Sequence, residues 1–273
     1  MSVDASEAQR QIERNVAIHD KVARKYDALH GEIFNDIEQA RLSRTLTLAR
    51  DSVQTGRTLL QALDFGCGSG NLSRHLLALD LNVTAADVSQ GFLDLVRSRY
   101  TDERLATYLM KDGDLSGLED GRFDMIATYS VLHHIPDYLA ACAELARLCR
   151  PGGVIMIDHE ATEEHWKGDP VYRALQKSAL RFDWRKFLTP ANYAHRVRRI
   201  FNPRHSNEGD IHVWPDDHIE WSKIKDLMAR LGFEVVLEED YLLYRKLYRR
   251  EVFENYVGRC TDTKVMIFRK CAE

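Results

Sequence analysis

Short apolar runs alternate with longer amphipathic stretches along the chain from about residue 58. The short runs suit buried strands, and the longer stretches repeat their apolar positions every three or four residues, as helices with one buried face do. Pro151, Gly152 and Gly153 predict a turn before the last strand of this series. The pattern predicts strands over 59–65, 83–86, 106–110, 123–128 and 154–157, and helices over 71–79, 92–100 and 138–148.

Strands and helices that alternate in this way form a mostly parallel sheet through right-handed crossovers. A further helix over 217–231 and strands over 233–237 and 265–268 extend that sheet at its edge. The sequence therefore predicts an α/β fold with a doubly wound, mostly parallel seven-stranded sheet and helices on both faces. Ligands of such sheets bind beyond the carboxyl ends of the strands.

The chain carries more than this core. Residues 4–54 show helical periodicity, with breaks expected at Gly31 and Gly56. The stretch that follows the fifth strand is long enough for a lid or a small subdomain. The predicted divisions are an N-terminal helical cap at 1–57, a ligand-binding core at 58–159, a lid or substrate insertion at 160–216 and the end of the core sheet at 217–273, with a basic-aromatic insertion at 241–263.

The strongest chemical signal is a glycine-rich turn between the first predicted strand and helix. It reads Asp64-Phe65-Gly66-Cys67-Gly68-Ser69-Gly70, and its glycines permit a tight turn and close approach of the backbone to a ligand. The dinucleotide fingerprint has the spacing Gly-x-Gly-x-x-Gly, with a helix N-terminus that faces a pyrophosphate. Here the spacing is Gly-x-Gly-x-Gly and an acid precedes the first glycine by two residues, so the loop favours a cationic ligand over a phosphate.

This loop resembles the leading motif of class I S-adenosylmethionine-dependent methyltransferases, and later segments match that family in order. An acid ends the second strand, an Asp-Gly pair follows the third, and a Leu-x-x-Pro-Gly-Gly turn precedes the fifth. The resemblance covers roughly residues 58–158 and implies S-adenosyl-L-methionine as cofactor. The matching segments after the glycine loop are Asp87, Asp112-Gly113, Phe123-Asp124, Val131-Leu132-His133-His134-Ile135 and Leu148-Cys149-Arg150-Pro151-Gly152-Gly153.

The resemblance also implies which residues bind the cofactor. In the family, the glycine loop wraps the methionine part, an acid after the second strand accepts hydrogen bonds from both ribose hydroxyls, and an acid after the third faces the adenine amino group. A Tyr-Asp pair in the N-terminal region often folds over the cofactor. The implied cofactor-binding residues are Asp64, Gly66, Cys67, Gly68, Gly70, Asp87, Val88, Asp112, Gly113, Tyr129 and Tyr26.

Several of these residues also have a structural interpretation. Asp64 and Asp87 could each cap the helix that follows. Asp112 has a rival in Asp114, and the two together could simply form a turn. Tyr26 could pack a helix, and Asp124 is interpreted as structural.

Histidines near the carboxyl ends of the predicted strands are candidate general bases, because an imidazole suits proton removal near neutral pH. We expect His159, which directly follows the fifth strand, to be the catalytic base. His133 is the second candidate. Each could instead serve only packing or hydrogen bonding. The full set of candidates is His133, His134, His159 and His165.

Composition narrows the classes of protein to which this chain could belong. The 273 residues are 44% hydrophobic and 29% charged, as in globular proteins, and no apolar run approaches the roughly 18 residues of a membrane span. The N-terminus lacks the basic start and apolar stretch of a secretory signal, so a cytoplasmic location is expected. Five cysteines without a Cys-x-x-Cys pair predict free thiols, and no metal site is expected.

Charge is unevenly distributed. The net charge of −4 argues against a whole-protein nucleic-acid binder, yet residues 165–206 carry a local charge of +8 with interleaved aromatic residues. Three interpretations remain open: a solvated lid, a pocket for an anionic substrate, or peripheral contact with an anionic membrane that gives access to a lipid-linked acceptor. The oligomeric state is not predicted.

The sequence thus predicts an enzyme that methylates a small molecule, with oxygen slightly favoured over nitrogen or carbon because of the histidines at the sheet edge. Alternatives are a cofactor-binding module without catalysis, an RNA methyltransferase that acts on oxygen or carbon, and a nicotinamide-dependent oxidoreductase, which the glycine spacing disfavours. Amino-group methylation of bases is disfavoured because Tyr129-Ser130-Val131-Leu132 stands where that branch of the family has Asn/Asp-Pro-Pro-Tyr/Phe.

Overall fold

The computed structural model describes residues 30–162, 168–179 and 219–272. Seven strands and seven α-helices lie in these ranges, with short 3-10 turns at Lys111–Gly113 and Leu132–His134. The strands are β1 (Gln61–Phe65), β2 (Asn82–Asp87), β3 (Leu105–Leu109), β4 (Phe123–Tyr129), β5 (Cys149–Ala161), β6 (Phe233–Tyr241) and β7 (Thr263–Lys270). The helices are α1 (Asp36–Asp51), α2 (Asn71–Ala78), α3 (Gln90–Arg99), α4 (Tyr138–Leu148), α5 (Pro170–Ala179), α6 (Trp221–Arg230) and α7 (Arg250–Glu254).

All seven strands form one sheet in the order β3-β2-β1-β4-β5-β7-β6. Strands β1 to β5 are parallel, and β7 lies antiparallel between β5 and β6. The strand order reverses between β1 and β4, and the carboxyl ends of strands at such a reversal border the crevice where ligands bind. The predicted doubly wound, mostly parallel seven-stranded sheet is confirmed.

Helices cover both faces of this sheet. Leu46 of α1 and Leu76 of α2 belong to the core on one face, and α3 packs against β2 and β3. Leu145 of α4 and Ile224 of α6 belong to the core on the opposite face. Side chains along the central strands are buried on both faces, as a sheet covered by helices requires. The predicted amphipathic stretches therefore each bury their apolar face.

The start of α1 follows from a capping residue. Asn35 adopts extended backbone, and its side-chain oxygen accepts a hydrogen bond from Glu38 N at 2.9 Å. Turn and bend residues occupy 31–35, where the sequence predicts a break at Gly31, and the helical stretch predicted before it lies outside the described residues. The helix ends at Asp51, five residues before the predicted end at Gly56. The rest of the predicted N-terminal cap, including Tyr26, lies outside the described residues.

The turn predicted at Pro151-Gly152-Gly153 is wrong, because these residues belong to β5. The strand begins at Cys149, which pairs with Phe123, and the next pair joins Val154 to Met125. The residues between form a bulge, in which Gly152 has a φ of +76° and its carbonyl accepts a hydrogen bond from Gln54 N at 2.7 Å. A contact with a segment nearly 100 residues earlier therefore holds this bulge against the sheet.

The two predicted insertions contact each other in the described ranges. Helix α5, from the predicted lid, packs with α7 and its flanking residues in a separate apolar cluster that includes Tyr172, Leu175, Tyr248 and Phe253. Buried Asp262 supports this cluster, since it accepts hydrogen bonds from Tyr172 Oη at 3.0 Å and Leu243 N at 2.8 Å. The aromatic side chains of 241–248 are therefore buried, whereas most basic ones beside them are exposed.

None of the helices within 30–162, 168–179 and 219–272 combines the length and the apolar character that crossing a membrane requires. In the same ranges, no three His, Cys, Asp or Glu side chains are grouped as metal ligands. All five cysteines are free thiols.

Candidate functional site

A cavity of about 360 Å³ opens at the carboxyl ends of β1, β2 and β4. Its size falls within the range of small-molecule sites. The strand order predicts a ligand site at this position, and the cavity brings together residues from four separate turns. Seven residues that the sequence predicts for the cofactor line it, namely Gly66, Gly68, Asp87, Val88, Asp112, Gly113 and Tyr129.

The glycine loop forms the floor of this cavity. Gly66 has a φ of +72°, and a Cβ there would lie 2.6 Å from Val131 Cγ2. Gly68 has a φ of +48°, but no atom lies within 4 Å of where its Cβ would be. Gly66 is therefore required by packing, whereas the space above Gly68 is open to a ligand.

Asp87 connects the glycine loop to α3. Its Oδ2 accepts a hydrogen bond from Gly68 N at 2.9 Å, and its Oδ1 accepts one from Ser89 N at 2.8 Å. The capping role that the sequence left open for Asp87 belongs to Ser89, whose side chain accepts from Phe92 N. Asp87 thus holds the loop from below and lines the cavity.

Asp112 and Asp114 occupy different positions relative to the cavity. Asp112 and Gly113 line the cavity, and both have positive φ angles, of 54° and 81°. The Asp114 carboxylate accepts hydrogen bonds from the backbone N–H and the hydroxyl of Ser116, each at 2.8 Å. Asp114 therefore forms the turn, and Asp112 is the acid at the cavity.

Three other predicted residues of the glycine motif do not line the cavity. Asp64 is fully buried and accepts a hydrogen bond from Ser73 Oγ at 2.6 Å, while its Oδ1 has no partner among the described residues. Burial raises the pKa of Asp64 to about 7, against the hydrogen bonds from Ser73. The Cys67 side chain belongs to the apolar cluster beside α3. Gly70 is the N-cap residue of α2, where it adopts a left-handed conformation.

The charge on the cavity wall is negative. Four carboxylates line it, from Asp87, Asp112, Asp137 and Glu144, and the described lining residues include neither Lys nor Arg. Apolar side chains supply most of the remaining wall, among them Met110. Carboxylates attract a cationic ligand and repel phosphate groups, so this wall suits a positively charged ligand that also has an apolar part.

The loop after β4 forms one side of the cavity and is held by a residue that the sequence analysis missed. Glu160 is 1% exposed. Its Oε1 accepts hydrogen bonds from Val131 N at 2.9 Å and Leu132 N at 2.7 Å, and its Oε2 contacts His133 Nδ1 at 2.7 Å. The only local signal for this role is an acid directly after His159. His159 itself lies within β5, so the prediction that it follows the fifth strand is wrong.

The candidate bases occupy different places. His134 lines the cavity, and His133, whose ring centroid lies 4.0 Å from that of His134, does not. His159 is not among the lining residues either. Its ring packs at a tilt against the ring of Tyr129, which does line the cavity, with 4.5 Å between the two ring centroids. His165 lies outside the described residues.

The core of the chain matches known proteins. Residues 63–157 match a family model described as a methyltransferase domain. A malonyl-[acyl-carrier protein] O-methyltransferase of Serratia marcescens is 40% identical over 96 residues, which make up 35% of this chain and 36% of that protein. A demethylmenaquinone methyltransferase of Halalkalibacterium halodurans is 28% identical over 149 residues, which make up 53% of this chain and 59% of that protein. The chain thus spans less than two thirds of either relative.

Solved structures share the fold over a longer part of the chain. A SAM-dependent methyltransferase from Methanosarcina mazei superposes with a TM-score of 0.53 and 16% sequence identity, over 82% of this chain and 97% of that one. The similarity therefore extends beyond the matched domain at the level of fold.

Proposed function

We propose that this chain, whose residues 63–157 match a methyltransferase domain, transfers a methyl group from S-adenosyl-L-methionine to a small-molecule acceptor. The observation that carries this proposal is the acidic cavity above Gly68, bordered by Asp87 and Asp112. Such a cavity favours a sulfonium and an ammonium group over a pyrophosphate.

The cavity residues fit that cofactor. The open space above Gly68 admits the methionine part close to the backbone, and the unpartnered Asp64 Oδ1 beneath the loop adds a negative charge when ionised. A carboxylate offers about four acceptor positions, so Asp87 retains capacity for ribose hydroxyls beside its two N–H donors. Asp112, Val88 and Met110 line the same cavity. We propose that Asp112 accepts a hydrogen bond from the adenine amino group and that Val88 and Met110 contact the ring.

The residues of this chain orient the reactants and handle the proton. When bound, S-adenosyl-L-methionine supplies a methyl group that is already a good electrophile. The glycine loop and the loop after β4 both line the cavity and would hold the cofactor there, so that alignment of the acceptor is the main requirement that remains. His159 is proposed as the general base for the acceptor, with His133 as the second candidate.

Oxygen is the favoured acceptor atom. Histidines at the sheet edge provide a base for a hydroxyl group, and one relative is by name an O-methyltransferase. The exposed basic residues Lys246, Arg249 and Arg250 support an anionic or lipid-linked acceptor as a second possibility. A cofactor-binding module without catalysis and an RNA methyltransferase at oxygen or carbon remain the alternatives.

Calorimetric titration tests the proposal directly. The full chain should bind S-adenosyl-L-methionine and its demethylated product S-adenosylhomocysteine, but not NAD. Transfer of a radiolabelled methyl group should then be assayed with a catechol, a quinol and a malonyl thioester. Binding without transfer to any acceptor would favour the non-catalytic module, and NAD binding alone would overturn the proposal.

A further inference from the structure

A buried polar cluster adjoins the cavity at Tyr129. The Tyr129 hydroxyl donates a hydrogen bond to Glu38 Oε1 at 2.8 Å, and the Arg41 guanidinium donates to Glu38 and, at 2.9 Å, to Asp158 Oδ2. Tyr241 Oη donates to Asp158 Oδ1 at 3.1 Å. Because α1, β4, β5 and β6 each contribute a member, the cluster exists only in the folded chain.

His159 lies in this cluster with a strained backbone. Its φ is +62°, a left-handed conformation that is uncommon for residues other than glycine. The pairing of β5 with β7 is irregular between Ile157 and Glu160, and such bulges often redirect a side chain beside an active site. The strained backbone therefore sets the direction of this imidazole.

The imidazole lies between the cavity wall and a carboxylate. One face of its ring contacts Tyr129. Its Nδ1 lies 3.8 Å from Glu38 Oε1 and is buried without a hydrogen-bond partner among the described residues. This distance is slightly longer than a direct hydrogen bond, and catalytic contacts of this length often tighten when the ligands bind.

Glu38 keeps its negative charge in this position. Burial would raise the pKa of its carboxyl group, but His159 and the Arg41 guanidinium outweigh burial and hold that pKa at about 2. The other titratable groups around His159 are Glu32 from the turn before α1, Tyr129 from β4 and Asp158 from β5. Tyr241 from β6 adjoins them through its hydrogen bond to Asp158. A permanent carboxylate thus faces Nδ1 from α1.

We propose that Glu38 is a positioning residue that keeps the neutral His159 imidazole protonated on Nδ1, so that Nε2 accepts the proton of a hydroxyl acceptor. The inference rests on the proposed methyltransferase function and adds the substrate class. The hydroxyl proton moves to Nε2, the oxygen forms its bond to the methyl carbon, and the electron pair of the broken carbon–sulfur bond stays on sulfur. Glu38 stabilises the resulting imidazolium until water takes the proton.

An acceptor requires a general base of this kind when its reacting group is a neutral hydroxyl, as in a phenol or an enol. A carboxylate acceptor is already ionised at neutral pH and gains nothing from a base. The pair therefore favours hydroxyl over carboxylate acceptors for this chain.

Nitrogen NMR tests the pairing without any acceptor. In the ¹⁵N-labelled full chain, long-range ¹H–¹⁵N spectra report which imidazole nitrogen is protonated, and His159→Gln assigns the signals. We expect the proton on Nδ1 in the wild type, and we expect Glu38→Gln to shift the proton population towards Nε2, because the negative charge that faces Nδ1 is lost. Glu38→Asp should retain part of the preference for Nδ1, and Asp36→Asn, which removes an exposed carboxylate on the same helix, should leave it unchanged.

Two results would overturn the inference. One is a wild-type spectrum with the proton on Nε2, which needs no variant to fold. The other is a Glu38→Gln spectrum in which the distribution of the proton between Nδ1 and Nε2 matches that of the wild type. In either case, intact binding of S-adenosylhomocysteine would leave the proposed function standing, whereas its absence in the wild type would remove both.

Kinetics provide a second test. With any hydroxyl acceptor found active, Glu38→Gln and His159→Gln should each lower kcat by about 100-fold and change KM little. Because the two residues act as one unit, the double variant should lose no more than the worse single variant. Independent, multiplying losses would contradict the pairing.

Discussion

Asp87 and Gly68 are joined by a hydrogen bond in which the glycine N–H donates to the aspartate Oδ2 at 2.9 Å. The two residues are 19 positions apart and come from different turns. The acid proposed to bind ribose therefore also sets the position of the loop proposed to hold the methionine part. Substitution of either residue should therefore weaken the proposed contacts to both the ribose and the methionine part of the cofactor.

Replacement of Asp87 tests the ribose assignment. Asp87→Ala removes the acceptor for Gly68 N and Ser89 N and for the proposed ribose hydroxyls. Hydrogen bonds to charged groups contribute about 1.5–3 kcal/mol each, so we expect S-adenosylhomocysteine to bind about 100-fold more weakly in calorimetry. The fold should be retained, and Asp94→Ala, an exposed acid on α3, is the control. Unchanged affinity in Asp87→Ala would remove the assignment.

The two floor glycines should respond differently to alanine. Gly66→Ala places a methyl group against Val131 and should destabilise the fold by about 2 kcal/mol or more, since a left-handed alanine alone costs about 1 kcal/mol. Gly68→Ala carries only that smaller cost, because no atom lies near the added Cβ.

Gly68→Ala should instead prevent cofactor binding, since its methyl group enters the space proposed for the ligand. Urea unfolding and calorimetry on both variants separate the two effects. Normal binding by Gly68→Ala would argue that the ligand does not occupy the space above this residue.

Asp64 should make stability depend on pH. Its pKa of about 7 in the folded chain lies above the value of 3.8 for a free side chain, so the folded state holds the proton more tightly. The stabilisation is full below about pH 4 and is lost as the pH rises to about 7, by on the order of 4 kcal/mol. Asp64→Asn should lack this loss.

The relevant measurement is the difference in unfolding free energy between Asp64→Asn and the wild type, since other groups titrate equally in both. That difference should grow in favour of the variant between about pH 4 and pH 7. A constant difference across this range would show that Asp64 is ionised without penalty.

The Glu160 carboxylate should fix the position of the loop after β4 through its hydrogen bonds to the backbone of that loop. Glu160→Gln replaces an acceptor oxygen by an amide N–H₂ opposite His133 or the backbone N–H groups of the loop, and we expect a loss of about 1–3 kcal/mol. Cofactor affinity should fall as well, because Val131 lines the cavity. Thermal unfolding and calorimetry measure the two effects, with exposed Glu119→Gln as control. A variant that unfolds at a lower temperature but binds S-adenosylhomocysteine with unchanged affinity would show that Glu160 has only a structural role.

The arrangement of strands, helices and the glycine loop was predictable from local patterns. Alternating apolar runs identified every strand of the sheet, and the carboxyl ends of β1, β2 and β3 carry Asp64, Asp87 and Asp112 in the order that the pattern implies. Parallel strands bring such residues to one edge, so seven predicted cofactor residues meet at one cavity.

Contacts between distant segments decided the rest. The Pro-Gly-Gly segment has the local signature of a turn, but Gln54 and β4 hold it in a strand. Glu38 carries no local sign of its role, and it reaches Tyr129 across 91 positions. Short-range periodicity reports which face of an element is buried, whereas the partner of a buried charge depends on how the elements pack.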